Sequence, residues 1–269
     1  MASDIFTIKG KTALVTGSSR GLGLAVARGL LEYGASTVFV TARQQKAAAA
    51  AAAELNAGGH GRAVGIACDS ADPAQIFKMV EEIGRQTGGK LDIVVANAGT
   101  SWGAPLAKHP PEAFDKVMRL NVQGVFHTIQ AAVPLLEAAG TAADPSRVIT
   151  IGSVAGLGVQ MLGAAESGTY GYMASKAGVH HLSKMLAVEL GPRNITVNAV
   201  APGFFPTKMT AGLLQVVGED TLAESNPLGR LGTDTDLVGL VVFLVSPASA
   251  YINGAVIPLD GGRHLGSRL

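Results

Sequence analysis

Short apolar runs rich in β-branched residues recur along the chain: TALVT from Thr12, STVFVT from Ser36, RAVGIA from Arg62, LDIVVA from Leu91, RVITIG from Arg147, ITVNAV from Ile195 and GAVIPL from Gly254. They lack the apolar/polar alternation of a strand with one wet face, so they predict strands buried on both sides. Each interval between them is long enough for a helix. Strands alternating with helices predict a parallel sheet covered on both faces, an α/β, doubly wound domain with right-handed connections.

Two stretches interrupt this rhythm. Residues 47–53 are seven consecutive alanines, which as low-complexity sequence would suit a linker. Alanine is the best helix former, and the run ends at Gly58 and Gly59, so a surface helix with a glycine cap is expected instead. The stretch 204–230, FFPTKMTAGLLQVVGEDTLAESNPLGR, is the least sheet-like and reads as a mobile, partly helical lid. Nothing resembles a domain linker, so residues 1–269 are expected to form one domain.

Composition narrows the function. The 269 residues are 48% hydrophobic but only 15% charged, with 35 glycines, as in a close-packed α/β protein. A formal net charge of +1 offers no broad basic field, which argues against nucleic acid or anionic membrane as the main partner. The single Cys68 excludes an intramolecular disulfide or a multi-cysteine metal site. The N-terminus has no apolar stretch after a basic start, and the longest apolar run, LVGLVVFLVS from Leu237, is about half of the ~20 residues a membrane span needs. A soluble, cytoplasmic protein is expected.

The first strand runs into TGSSRGLG, which places Gly17, Ser19, Arg20, Gly21, Leu22 and Gly23 where a helix should begin. Glycines there allow a tight turn and close approach of a pyrophosphate to the free N–H groups of the helix terminus. A Rossmann-type dinucleotide site selective for an unphosphorylated ribose would place Asp or Glu at the end of the second strand. That end reads VFVTARQQ. With Ala42 and Arg43 there, and Arg20 in the loop, two guanidiniums are available for a 2′-phosphate, so NADP(H) is expected over NAD.

Further on, TYGYMASK sets Tyr172 and Lys176 four residues apart, on one face of any helix that begins here. Tyr170 turns away from that face and is expected to precede the helix. A lysine ammonium one turn from a phenol favours the phenolate and should bring its pKa down toward a working range.

With CDS, ANAG, LNVQG, IGSVAG, YMASK and APGFFPTKM following the strands in order, the chain resembles the short-chain dehydrogenase/reductases over almost its whole length. Within that family it is most similar to the 3-oxoacyl-[acyl-carrier-protein] reductases, and to their rhamnolipid-pathway branch through NAGTSWGAPL and GFFPTKMT. The resemblance implies an NADPH-dependent ketone reductase in which Tyr172 is the acid, Ser153 binds the carbonyl oxygen, Lys176 holds the nicotinamide ribose and Asn121 holds a water behind the lysine. It further implies that Asp69 and Ser70 meet the adenine, that Asn97, Ala98 and Gly99 form the cofactor floor, and that Thr207, after Pro202 and Gly203, faces the nicotinamide amide. Asp69 has an alternative as a helix cap ahead of Pro73.

The sequence departs from the family pattern where Ala96 replaces the first asparagine of NNAG, and where an insertion separates Ser153 from Tyr172. The insertion makes Tyr170, Met161 and Leu162 candidate substrate neighbours, with ordinary loop packing as an equal alternative for each. His127, His180 and His181 are not at metal-ligand spacing, so no catalytic metal is expected. His180 and His181 are expected on the Tyr172 helix, whose outer face the resemblance assigns to a neighbouring subunit of a homodimer or homotetramer. The expected substrate is a 3-oxoacyl thioester on CoA or an acyl carrier; Lys208 and Arg230 read first as surface charges, with contact to the carrier phosphate as the alternative. Two alternatives stay open: an alcohol dehydrogenase or ketoreductase of secondary metabolism, and a non-catalytic NADP(H) sensor.

Overall fold

The computed structural model describes residues 5–159 and 168–266. Seven strands form one parallel sheet: β1 (Thr12–Val15), β2 (Thr37–Ala42), β3 (Arg62–Ala67), β4 (Ile93–Ala96), β5 (Ser146–Ile151), β6 (Ile195–Pro202) and β7 (Val256–Leu259). All seven apolar runs of the sequence become strands. The helices are α1 (Gly21–Glu32), α2 (Gln45–Ala57), α3 (Pro73–Thr87), α4 (Pro111–Met118), α5 (Gly124–Ala139), α6 (Tyr170–Leu190), α7 (Ala211–Val217), α8 (Glu219–Glu224) and α9 (Asp234–Val245).

Because strand side chains alternate, the sheet feeds two cores. Ala13 and Val15 pack with Val26 and Leu30 of α1 and Leu237 and Val241 of α9. Leu14, between them, packs on the other face with Ile76 and Ile83 of α3, Ile129 and Leu136 of α5, and Val179 of α6. Both faces are dry, which is why the strands read as continuous apolar runs.

The alanine run is α2, with Ala48, Ala51, Ala52 and Leu55 buried. A Cβ on Gly65 of β3 would meet the Ala48 carbonyl group, its carbon only 2.6 Å away. Small residues on both partners thus let the helix lie directly on the strand. Gly58 and Gly59 end α2 as expected, Gly59 with φ +70°.

The strand order β3-β2-β1-β4-β5-β6-β7 reverses between β1 and β4. Connections leaving the two strands part to opposite sides, opening a crevice at their carboxyl ends. The candidate site is built there.

Candidate active site

The glycine loop joins β1 to α1. Gly17 and Gly21 have φ of +62° and +55°, and a Cβ on Gly17 would stand 2.8 Å from Ala98 Cα. A Cβ on Gly23 would collide with Asn97 Nδ2 and lie 2.7 Å from Gly17 O. The loop therefore lies flat against the end of β4, a close approach that only glycine permits. Asn97 fastens it: Nδ2 donates to Thr16 O (2.9 Å) and Gly17 O (3.1 Å), while the N–H groups of Asn97 and Ala98 donate to Thr16 Oγ1.

Helix α1 starts at Gly21 after an extended Arg20, with no side-chain cap and no acidic residue in its first turn. Its first N–H groups stay free for an anion. Ser19 is half-buried beside them, and Leu22 packs against the core. Arg20 and Arg43 are exposed and have no ion-pair partner among the described residues. Thr207 stands over the loop, its Cγ2 4.0 Å from a Cβ placed on Gly21, and Thr210 Oγ1 accepts from its N–H. Gly203, after Pro202, packs so tightly that a Cβ would lie 2.7 Å from Asp260 Cβ. Uncapped helix, missing Cβ atoms and unpaired guanidiniums together fit a dinucleotide bearing a 2′-phosphate.

At the other end of the crevice, α6 carries Tyr172 and Lys176 on one face. Lys176 is 6% exposed, its Nζ donates to Ile151 O (2.7 Å), and it lies 5.6 Å from the centre of the Tyr172 ring. Ser153, buried at the end of β5, opens a short helical turn with its Oγ accepting from Ala155 N. Asn121 sits in a π-turn, Arg119–Gln123, that joins α4 to α5. Its amide is fully used: Nδ2 donates to Thr100 O and Ser175 Oγ, and Oδ1 accepts from Thr100 N, each at 2.9 Å. These bonds tie the π-turn to α6 and to the loop after β4. Gly99 leaves the space between them open, a Cβ there lying 3.4 Å from Asn121 Oδ1 and 3.7 Å from Lys176 Nζ.

The electrostatics correct one expectation. Burial pushes the Tyr172 phenol above its ordinary pKa, a hydrogen bond with Ser153 acting in the opposite sense. In the free chain Lys176 does not offset this. The lysine is itself desolvated, with its pKa lowered to about 8, and its ammonium is turned onto a backbone carbonyl. In the chain alone, therefore, the phenol is held protonated at neutral pH.

Other expectations change as well. Tyr170 is the first residue of α6, not a residue before it, and its ring packs edge-on against His109 at 5.8 Å. Asp69 is not the helix cap: Asp72 caps α3, accepting from Ala74 N and Gln75 N, while Asp69 Oδ1 accepts from Ala71 N beside the buried Ser70. Arg230 is held in a two-pronged ion pair with Asp236, at 2.7 and 2.9 Å, whereas Lys208 is exposed. His180 and His181 both lie on α6, as expected; His180 is buried behind Ser153 and His181 is exposed. Met161 and Leu162 lie outside the described residues. Sequence reasoning missed Ser18 and Thr41, which lock the glycine loop to β2: Ser18 Oγ donates to Val15 O and accepts from Thr41 N, and Gly17 N donates to Thr41 Oγ1. A serine inside the glycine run was the available signal.

Residues 17–264 match a family model described as enoyl-(acyl carrier protein) reductase. The rhamnolipids biosynthesis 3-oxoacyl-[acyl-carrier-protein] reductase of Pseudomonas aeruginosa is 44% identical, over 97% of this chain and 98% of its own. The cyclohexanol dehydrogenase of a Rhodococcus species is 35% identical, over 97% and 98%. Among solved structures, the RhlG/NADP active-site complex of Pseudomonas aeruginosa superposes with a TM-score of 0.89 at 43% identity, covering 97% and 98% of the two chains. A gluconate 5-dehydrogenase from Burkholderia cenocepacia, in complex with NADP and tartrate, gives 0.88 at 32% identity, over 99% and 100%. On the parallel sheet, the glycine loop and the Ser153, Tyr172 and Lys176 cluster together, this chain belongs to the short-chain dehydrogenase/reductase family.

Proposed function

We propose that the protein is an NADPH-dependent ketoreductase that converts a 3-oxoacyl thioester, or a related keto compound, to the secondary alcohol. The observation that carries this is Tyr172 and Lys176 on one face of α6 beside the buried Ser153 at the carboxyl ends of the strands, in one crevice with an uncapped helix and two arginines that have no ion-pair partner among the described residues. When bound, NADPH supplies the hydride. The chain's own residues do the rest. Ser153 Oγ hydrogen-bonds the carbonyl oxygen, Tyr172 gives its phenolic proton to that oxygen as it becomes an alkoxide, and Lys176 stabilises the phenolate left behind. Asn121 holds the π-turn against α6, which keeps the passage behind Lys176 open for a proton to return. Asp69 and Ser70 line the adenine end, Asn97, Ala98 and Gly99 the floor, and Thr207 the nicotinamide end. Residues 204–230 act as the lid over the substrate.

The test is reduced-nicotinamide oxidation with NADPH and NADH in parallel, against acetoacetyl-CoA and a panel of free ketones. Preference for NADPH should rest on Arg43: Arg43→Glu is expected to raise the KM for NADPH at least tenfold, about 1.4 kcal/mol, and to leave that for NADH nearly unchanged. Equal effects on both cofactors would remove Arg43 from the 2′-phosphate site. Gly23→Ala should weaken both cofactors alike by tenfold or more, because its methyl displaces Asn97, and isothermal titration reads this directly. A second copy of this chain is the proposed protein partner. The exposed Met185 and Val188 of α6 supply apolar surface for it, and light scattering gives the oligomeric state.

A further inference from the structure

Helix α6 repeats its active face once more after Lys176. Tyr172, Lys176 and His180 follow at four-residue intervals, so all three emerge on one stripe, and His180 reaches the back of the serine loop. Its ring is 5% exposed and stands between Gly152 and Gly156, the residues flanking the Ser153 turn. A Cβ on Gly152 would collide with His180 Nε2, and one on Gly156 would meet the α6 backbone first, 2.6 Å from Ala177 N and Lys176 C, and lie 2.9 Å from His180 Cε1. The two glycines leave a slot that the imidazole fills. From that slot Nε2 accepts from the Ser153 backbone N–H, a long bond at 3.4 Å, while Gly152 N is fixed to Val200 O at 2.7 Å. Among the described residues nothing else accepts from the Ser153 N–H, which is buried and would be costly to leave unpaired.

We infer that His180 is a positioning residue for Ser153: a neutral imidazole whose Nε2 holds the Ser153 peptide, and through it aims the Ser153 hydroxyl at the substrate oxygen. An Nε2 that accepts requires the proton on Nδ1, so one tautomer is specified; Nδ1 is itself buried with no hydrogen-bond partner among the described residues, a cost this tautomer carries in order to satisfy the Ser153 N–H. Burial, with the Lys176 and Lys184 charges nearby, keeps the ring neutral, its pKa lowered to about 4. The Gly156 backbone acts in the opposite direction, more strongly than Lys184 acts in favour.

The inference rests on the ketoreductase reading and is tested separately from it. His180→Gln keeps an acceptor at similar reach, whereas His180→Met has nearly the same length and no acceptor. The Met variant is expected to lose about tenfold in kcat for ketone reduction, with KM for NADPH within about twofold of wild type, and the Gln variant to recover most of that kcat. Equal kcat for the two variants, whether high or low, overturns the proposal. The second readout needs neither folding of a variant nor turnover: 15N-histidine NMR of the wild-type protein should show His180 with its proton on Nδ1 at neutral pH. A proton on Nε2 overturns it outright. Absence of ketone reduction by the wild type would instead sink the functional reading and leave the tautomer result standing.

Discussion

Tyr172→Phe is expected to lower kcat for ketone reduction by about 10²–10⁴-fold, the range for loss of a general acid, while leaving NADPH affinity nearly unchanged. The variant removes one oxygen from a half-buried ring and leaves Lys176 on its Ile151 carbonyl, so fold and glycine loop are untouched. Wild-type-like turnover in this variant would require another proton donor and would end the mechanism. The raised phenol pKa also sets a direction: at neutral pH Tyr172 is in its acid form, ready for reduction, whereas alcohol oxidation needs the phenolate and should gain on raising the pH. For the free protein, kcat/KM for NADPH should decline as pH rises through about 8, as Lys176 loses its charge.

The pattern of apolar runs carried the sheet, because strands buried on both faces need almost no polar residues and so stand out along the chain. The reacting groups were legible for a related reason. Tyr172 and Lys176 share a face by helical spacing alone, and Gly17 and Gly23 announce a close backbone approach. What the sequence hid is set by three-dimensional packing. Tyr172 and Lys176 are neighbours on one face, yet their spacing says nothing of desolvation, and desolvation decides the pKa of both. Asp69 and Asp72 are equally good caps on paper; the chain turns at Asp69 and the helix starts after Asp72. His180 and His181, adjacent on a helix, face different ways, and only the glycines around Ser153 reveal which of the two turns inward. Ser18 and Thr41 belong to a brace between β1 and β2 that joins residues distant in the chain.

Lys176→Met should abolish most turnover, again by about 10²–10⁴-fold, without the loss of stability that a buried substitution ordinarily brings. Keeping Lys176 charged inside the fold is costly, since its pKa falls from 10.5 to about 8, equivalent to about 3 kcal/mol. Methionine carries no such penalty but leaves the Ile151 carbonyl without its donor, at a cost of about 1–3 kcal/mol. Below pH 8 the two terms nearly cancel, so the cofactor-free variant should melt close to, or slightly above, the wild type. The difference must then move with pH. Between pH 8 and 10.5 the unfolded wild-type chain still binds the lysine proton that the folded chain has released, so wild-type stability rises relative to the variant across that window. Other titrating groups are common to both proteins and drop out of the difference. Denaturant unfolding of both proteins at pH 7 and pH 10 reads this directly: a difference that shifts toward the wild type by about 2–3 kcal/mol is expected. A difference that stays flat would mean that Lys176 is hydrated in the folded chain, and that the charge assigned to hold the Tyr172 phenolate is far weaker than its burial implies.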